Sequence, residues 1–222
     1  MRHLLLLFAT YGLSVPAASA ADNWTFLYQK DDIKVYGDDG TPRSFRAEGT
    51  FAADMFELLA VFSDVPRRTE WIKGLTEARV IAGDTENLVR IYSRYDLPWP
   101  AADRDSVIES VIEKNFAAGE VVVIFKGVDD ERTPPVDGVV RTPVTEGRIS
   151  IRDSGAHQVF VRYQLKLDSG GALPHWIVNQ FTKNVPVNTL TALKAQVEKT
   201  RGQYRDFILR QKGQWESPSL RK

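Results

Sequence analysis

The chain has 222 residues, and its 29 Lys and Arg are balanced by 29 Asp and Glu. That neutrality excludes the concentrated basic surface a nucleic-acid partner requires. The absence of cysteine excludes disulfides, a lipid-modified N-terminal cysteine, a thiol nucleophile and thiolate metal sites.

Residues 1–20 read MRHLLLLFATYGLSVPAASA. A basic start (Arg2, His3), an apolar run from Leu4 to Val15 and the small-x-small triplet Ala18-Ser19-Ala20 form the layout of a secretory signal peptide. The run is too short to span a bilayer comfortably. The expectation is a mature chain that begins near Ala21 and works outside the cytoplasm, in the periplasm or secreted. The leader holds one basic and no acidic residue, so 202 residues of net charge −1 remain, enough for one substantial core.

After a preamble at Trp24–Tyr36, in which Ile33 and Val35 alternate, SFRAEGTF at 44–51 reads as a short strand. Asp54 with Glu57 three residues on makes a capping box for a helix. Met55, Phe56, Leu58, Leu59 and Phe62 supply its apolar face. A second helical segment is predicted from Pro66 to about Ile72, with Asp64 as its cap.

From residue 76 the period is two: ARVIA, NLVRIYSRYDL, DSVIESVIEKN, EVVVIFKGV, GRISIRD and QVFVRYQLKLD are strand-like and separated by Gly, Asp, Asn and Pro clusters. In the last run Val159, Val161, Tyr163, Leu165 and Leu167 share one face, so the expected sheet is antiparallel and covered on a single side. SGA at 154–156 is predicted to turn a hairpin. Two inner faces are open for DSVIESVIEKN: Val107, Glu109 and Val111, which would bury Glu109 as a polar anchor, or Ile108 and Ile112, which would leave Glu109 in solvent.

A helix is predicted from Pro174 towards Thr200, proline being suited to a first turn whose N–H groups are unpaired anyway. Pro186 inside it predicts a break or kink. Leu173, Trp176, Ile177 and Phe181 form one apolar stripe, and Leu190, Leu193 and Val197 another. The basic clusters at Arg201–Arg210 and Arg221–Lys222 read as a solvated helix face and a frayed tail. The plan is α+β, a curved sheet wrapped around a long C-terminal helix.

No G-x-S-x-G elbow, H-E-x-x-H, Walker loop or G-x-G-x-x-G is present. Beyond the leader stand two histidines, His157 and His175, which read as surface or helix-end residues. No catalytic residue, metal site or cofactor is assigned.

Several stretches fall into one order: Arg68-Thr69-Glu70-Trp71, Leu97-Pro98-Trp99-Pro100, Arg104-Asp105, Thr133-Pro134-Pro135 with Val140-Arg141, and Ser169-Gly170-Gly171-Ala172-Leu173-Pro174-His175-Trp176-Ile177-Val178-Asn179. The series resembles the START family, the steroidogenic-acute-regulatory-protein-related lipid-transfer domains, over roughly residues 24–200. One departure is Ile72, where the family often has an aspartate after the tryptophan. The resemblance implies a helix-grip fold with a tunnel between sheet and terminal helix that holds one lipid and moves it between membranes without covalent chemistry. Related helix-grip proteins include polyketide cyclases, so an enzyme acting on a hydrophobic substrate in the same cavity is the alternative. The implied division is a leader at 1–20, a lipid-binding domain at 21–200 and a basic helical extension or tail at 201–222.

A hollow core is costly, since roughly 24 cal/mol is lost per Å³ left unfilled. A lipid tail returns about 0.8 kcal/mol per methylene. The expected tunnel contacts are Val123, Phe125, Val161, Tyr163 and Leu165 on the strands, with Leu173, Trp176, Ile177 and Phe181 as a lid. Gly170 and Gly171, whose backbone angles are least restricted, and Pro186 are the expected hinge. The lid is expected to loosen on transient contact with a membrane surface, in a protein that is otherwise monomeric. Arg104, Asp105, Glu109 and Asn179 are candidate polar anchors, although Arg104 and Asp105 at the start of a strand also read as a structural pair. Trp71 reads as core or as lipid contact.

Overall fold

Alternating side chains need a sheet to receive them, and one sheet collects nearly every strand-like run. A computed structural model describes residues 24–40, 44–115, 117–142, 144–168 and 175–216, with backbone alone at 144–145, 167–168 and 175–183. Among these residues ten strands form one sheet. The preamble folds into β1 (Thr25–Lys30) and β2 (Ile33–Gly37), followed by β3 (Ser44–Phe51). Helix α1 (Met55–Ser63) and a 3-10 helix (Pro66–Glu70) come next. The meander comprises β4 (Leu75–Gly83), β5 (Leu88–Tyr95), β6 (Asp103–Asn115), β7 (Glu120–Gly127), β8 (Val139–Arg141), β9 (Val144–Gly155) and β10 (Gln158–Asp168). Helices α2 (His175–Lys199) and α3 (Arg205–Glu216) complete the described chain.

The strand order is β1-β2-β3-β10-β9-β7-β6-β5-β4, with β8 attached in parallel to β6. The join of β3 to β10, from Val159 opposite Phe51 to Lys166 opposite Ser44, ties the start of the domain to its last strand. Against this concave sheet lies α2, whose Val187, Leu190, Leu193 and Val197 are buried with Val35, Ala47, Ile151 and Val161 in the main core. The observed architecture is the helix-grip plan.

Helix α1 begins as its capping box predicts: Asp54 Oδ1 accepts from the N–H of Phe56 at 2.8 Å, and Glu57 Oε2 accepts from the N–H of Asp54 at 3.2 Å. Asp64 behaves differently. It ends α1 and accepts a hydrogen bond from the Tyr204 hydroxyl at 2.8 Å, while the N-cap of the 3-10 helix is Val65, which provides no side-chain cap. The hairpin after β9 turns on Ala156 and His157, both with positive φ, one step later than SGA suggests. A primed turn with two positive φ values matches the twist of the flanking strands, which outweighs its cost to non-glycine residues.

Pro186 does not break α2, which is helical from His175 to Lys199. Proline removes one backbone hydrogen bond, but the following residues are anchored by burial, with Val187 at 1% and Leu190 at 0% exposure. The sheet is also not bare on its convex side. On the face of β6 that carries Glu109, Asp105 and Val107 are buried, and segment 128–142 runs beside that strand, tied by Val128 N–H to the Val107 carbonyl (2.9 Å) and Thr142 N–H to the Asp105 carbonyl (2.8 Å).

Candidate ligand-binding cavity

The inner face of β6 carries Ile108, Ser110, Ile112 and Lys114, which line a cavity of about 150 Å³. Beside them stand Val89, Ile91, Ser93 and Tyr95 of β5, and Val123 and Phe125 of β7. Ile149 and Tyr163 continue the wall on β9 and β10, and Thr189 of α2 faces them. Leu59, Phe62 and Trp71 cover the cavity from the α1 side. The lining is mainly apolar, with a few placed polar groups, as in small-molecule sites generally.

Strand register gives the cavity two distinguishable ends. Ser93 of β5 opposes Ser106, near the start of β6, whereas Leu88 opposes Val111, towards its end. Ser93 and Tyr95 therefore mark one end, and Lys114 with Thr85 and Glu86 of the β4–β5 loop marks the other.

Arg68 belongs to the first end. Its Nη2 donates to the Phe62 carbonyl at 2.6 Å, a bond that aims the guanidinium from the short helix inward. Its Nε and the Trp71 Nε1 are both buried and lack a hydrogen-bond partner among the described residues. No carboxylate among those residues forms a salt bridge with Arg68. Burial pulls its pKa below the usual arginine range, opposed in decreasing order by Tyr95, Tyr163 and the Asp64 carboxylate, which acts on it from beyond salt-bridge distance. Burial likewise pushes both phenols up, so they are neutral donors at physiological pH. A buried donor left unmade costs about 1–3 kcal/mol. An anion or a strong acceptor would complete the cluster, since the planar guanidinium fork is well matched to one.

The other end is closed by side chains of α3. Phe207 and Gln211 line the cavity there. Lys114, whose ammonium is disfavoured by burial, donates to Gln214 Oε1 at 3.2 Å.

Of the strand contacts expected from sequence, Val123, Phe125 and Tyr163 line this cavity. Val161 (0% exposed) and Leu165 (6%) point the same way but are consumed in packing within the core. Leu165 also borders a depression of about 440 Å³ that is broadly open to solvent and ringed by Lys126, Arg148 and Lys166. The first cavity, the less open of the two, is the better candidate because a hydrophobic guest gains most where water is excluded.

Arg104 and Asp105 do not line the cavity. Asp105 accepts two bonds from Arg141, at 2.6 and 2.9 Å, and Arg104 donates to the Ala102 carbonyl, which makes both structural. Glu109 lies on the convex face, where it accepts from Arg90 at 2.8 Å; Ile108 and Ile112 form the inner face. Trp71 is both core and cavity wall. Gly170, Gly171 and Leu173 lie outside the described residues, as do the side chains of Trp176, Ile177, Asn179 and Phe181.

Sequence reasoning missed Arg68 as a site residue, along with Ser93, Tyr95, Lys114 and α3. A signal existed in Ser110, a polar residue between Ile108 and Ile112 on an otherwise apolar face. Among the described residues no group of three or more His, Asp or Glu could hold a metal ion, and no helix is long and apolar enough to cross a membrane.

A family model for the START domain matches residues 7–202. An uncharacterized protein of Pseudomonas aeruginosa is 30% identical over 202 residues, covering 90% of this chain and 98% of its own. The phosphatidylcholine transfer protein of Bos taurus is 29% identical over 190 residues, covering 80% of this chain and 85% of its own. Among solved structures, a STAR-related lipid transfer protein of Xanthomonas axonopodis superposes with a TM-score of 0.72 at 28% identity, over 80% of this chain and 99% of that one.

Proposed function

The chain belongs to the START domain family, and from that premise we propose that it is a carrier. It binds an amphiphile with an anionic or strongly accepting polar end and moves it between membrane surfaces outside the cytoplasm, without covalent chemistry. One observation carries the reading: Arg68 is a cavity-lining cation with a buried, unpartnered Nε and no carboxylate partner among the described residues. The polar end of the ligand sits against Arg68, Trp71, Tyr95 and Tyr163, and the tail lies along Ile108, Ile112 and Val123. The bovine relative, named for a lipid whose head group contains a phosphate, supports this chemistry. The leader layout of residues 1–20 supports export. The segment 169–181, hinged at Gly170 and Gly171, is the proposed lid that loosens at the membrane.

The test is titration of the chain with n-alkyl phosphates, followed by calorimetry. Replacing the guanidinium by a thioether of similar reach, Arg68→Met, should weaken binding roughly ten- to a hundred-fold, the worth of a charged hydrogen bond. The unliganded variant should melt no lower than the parent, because an unpaired buried charge is removed. Unchanged phosphate affinity in Arg68→Met would refute the assignment. Export is tested separately, by fractionating cells that express the full chain and sequencing the N-terminus of the recovered protein, with Ala21 expected first.

A further inference from the structure

Helix α3 lies beyond the residues that the START model matches, which end at 202. It is nevertheless fastened to the domain at several points. Gln211 Nε2 donates to Glu86 at 2.7 Å and Arg210 to the same carboxylate at 3.1 Å. Lys212 Nζ reaches Asp54 at 2.6 Å, and the Trp215 ring meets Phe56 edge-on at 5.7 Å between centroids. The connecting turn is held as well, since Tyr204 donates to Asp64 and accepts from Arg67 at 3.2 Å. Gln211 is 3% exposed, and it and Phe207 face the cavity at the end remote from Ser93 and Tyr95.

We propose that α3 is a length stop, in which Phe207 and Gln211 determine how long a ligand tail the cavity accepts. With α3 docked, the space of about 150 Å³ is the size of engineered apolar cavities that admit benzene. It falls far short of two acyl chains. The docked form therefore selects amphiphiles with one short tail, and a longer tail must push Phe207 aside. Which end the tail occupies follows from the head-group reading above, on which this inference rests.

Two probe series with the same tail lengths separate the two ideas: n-alkyl phosphates, and n-alkanols that lack the anionic head. Affinity for the full chain should rise about four-fold per methylene until the tail meets Phe207, and then level off. Phe207→Ala should move that break to longer tails and Phe207→Trp to shorter ones, in both series. Opposite shifts from a smaller and a larger residue cannot come from destabilisation alone. Arg68→Met should lower the phosphate series as a block and leave the break in place. A break at the same tail length in all three chains, or no break up to the longest tail, overturns the length stop. A break that moves for alkanols while phosphates show no preference sustains the stop and removes the head-group reading.

Discussion

Arg68 and Gly147 owe their roles to opposite properties, a side chain with one buried nitrogen left unpartnered and a side chain that is missing. Gly147 of β9 stands opposite Phe125 of β7. A Cβ placed there would collide with the Phe125 ring and come within 2.5 Å of the Gln164 carbonyl oxygen. The Phe125 ring can therefore occupy the space beside Gly147 because its neighbour has no side chain. Gly147→Ala should destabilise the domain by about 1–3 kcal/mol, the usual cost of overpacking. It should also weaken tail binding by pushing the ring into the cavity. Chemical denaturation and an alkanol titration check the two effects. Full stability with normal binding would show that strand and ring shift freely.

At the scale of elements, the 3-10 helix must be held against α2 for Arg68 to point inward. Glu70 makes that connection: it accepts from Arg67 at 2.7 Å, from Lys199 at 3.1 Å and from Gln196 at 3.2 Å. The Arg67 bond is the leading cause of its pKa falling from 4.5 to about 2, with Lys199 and Gln196 next. A carboxylate with a depressed folded-state value stabilises above its unfolded value, and that stabilisation disappears as pH falls through the folded one. The melting temperature should thus fall between pH 4.5 and pH 2 more steeply in the parent than in Glu70→Gln. The difference should be small, since the group is solvent-exposed and screened. Parallel acid profiles for the two chains would show that this contact contributes nothing.

For the whole molecule the cavity is the dominant fact. An unfilled 150 Å³ costs on the order of 4 kcal/mol relative to a solid core, a large fraction of the 5–15 kcal/mol typical of a domain. A ligand present at a hundred times its dissociation constant returns about 2.7 kcal/mol by mass action. For a chain of this size that is a rise of roughly 5–10 °C in melting temperature. Differential scanning calorimetry with a short n-alkyl phosphate measures it. A saturating ligand that leaves the transition in place would mean that the guest binds outside the core.

Local pattern by itself determined most of the strands, though not β1, β2 or β8, together with the capped start of α1, the long helix and, through the order of short motifs, the family. Each of these is a property of neighbouring residues: alternation for strands, a three-residue spacing for the capping box, one apolar face for α2. Only tertiary structure decided which polar residues look inward. Asp105 is spoken for by Arg141 across a parallel strand pairing, and Glu109 by Arg90 on the convex face. Arg68 faces the cavity because the short helix is clasped between β4 and α2. The run read as a solvated helix face became a cavity wall because Glu86 and Asp54, more than a hundred residues earlier, supply its anchors. Periodicity reports which side of an element is apolar, but the partner that covers that side is chosen by long-range pairing, which no local pattern contains.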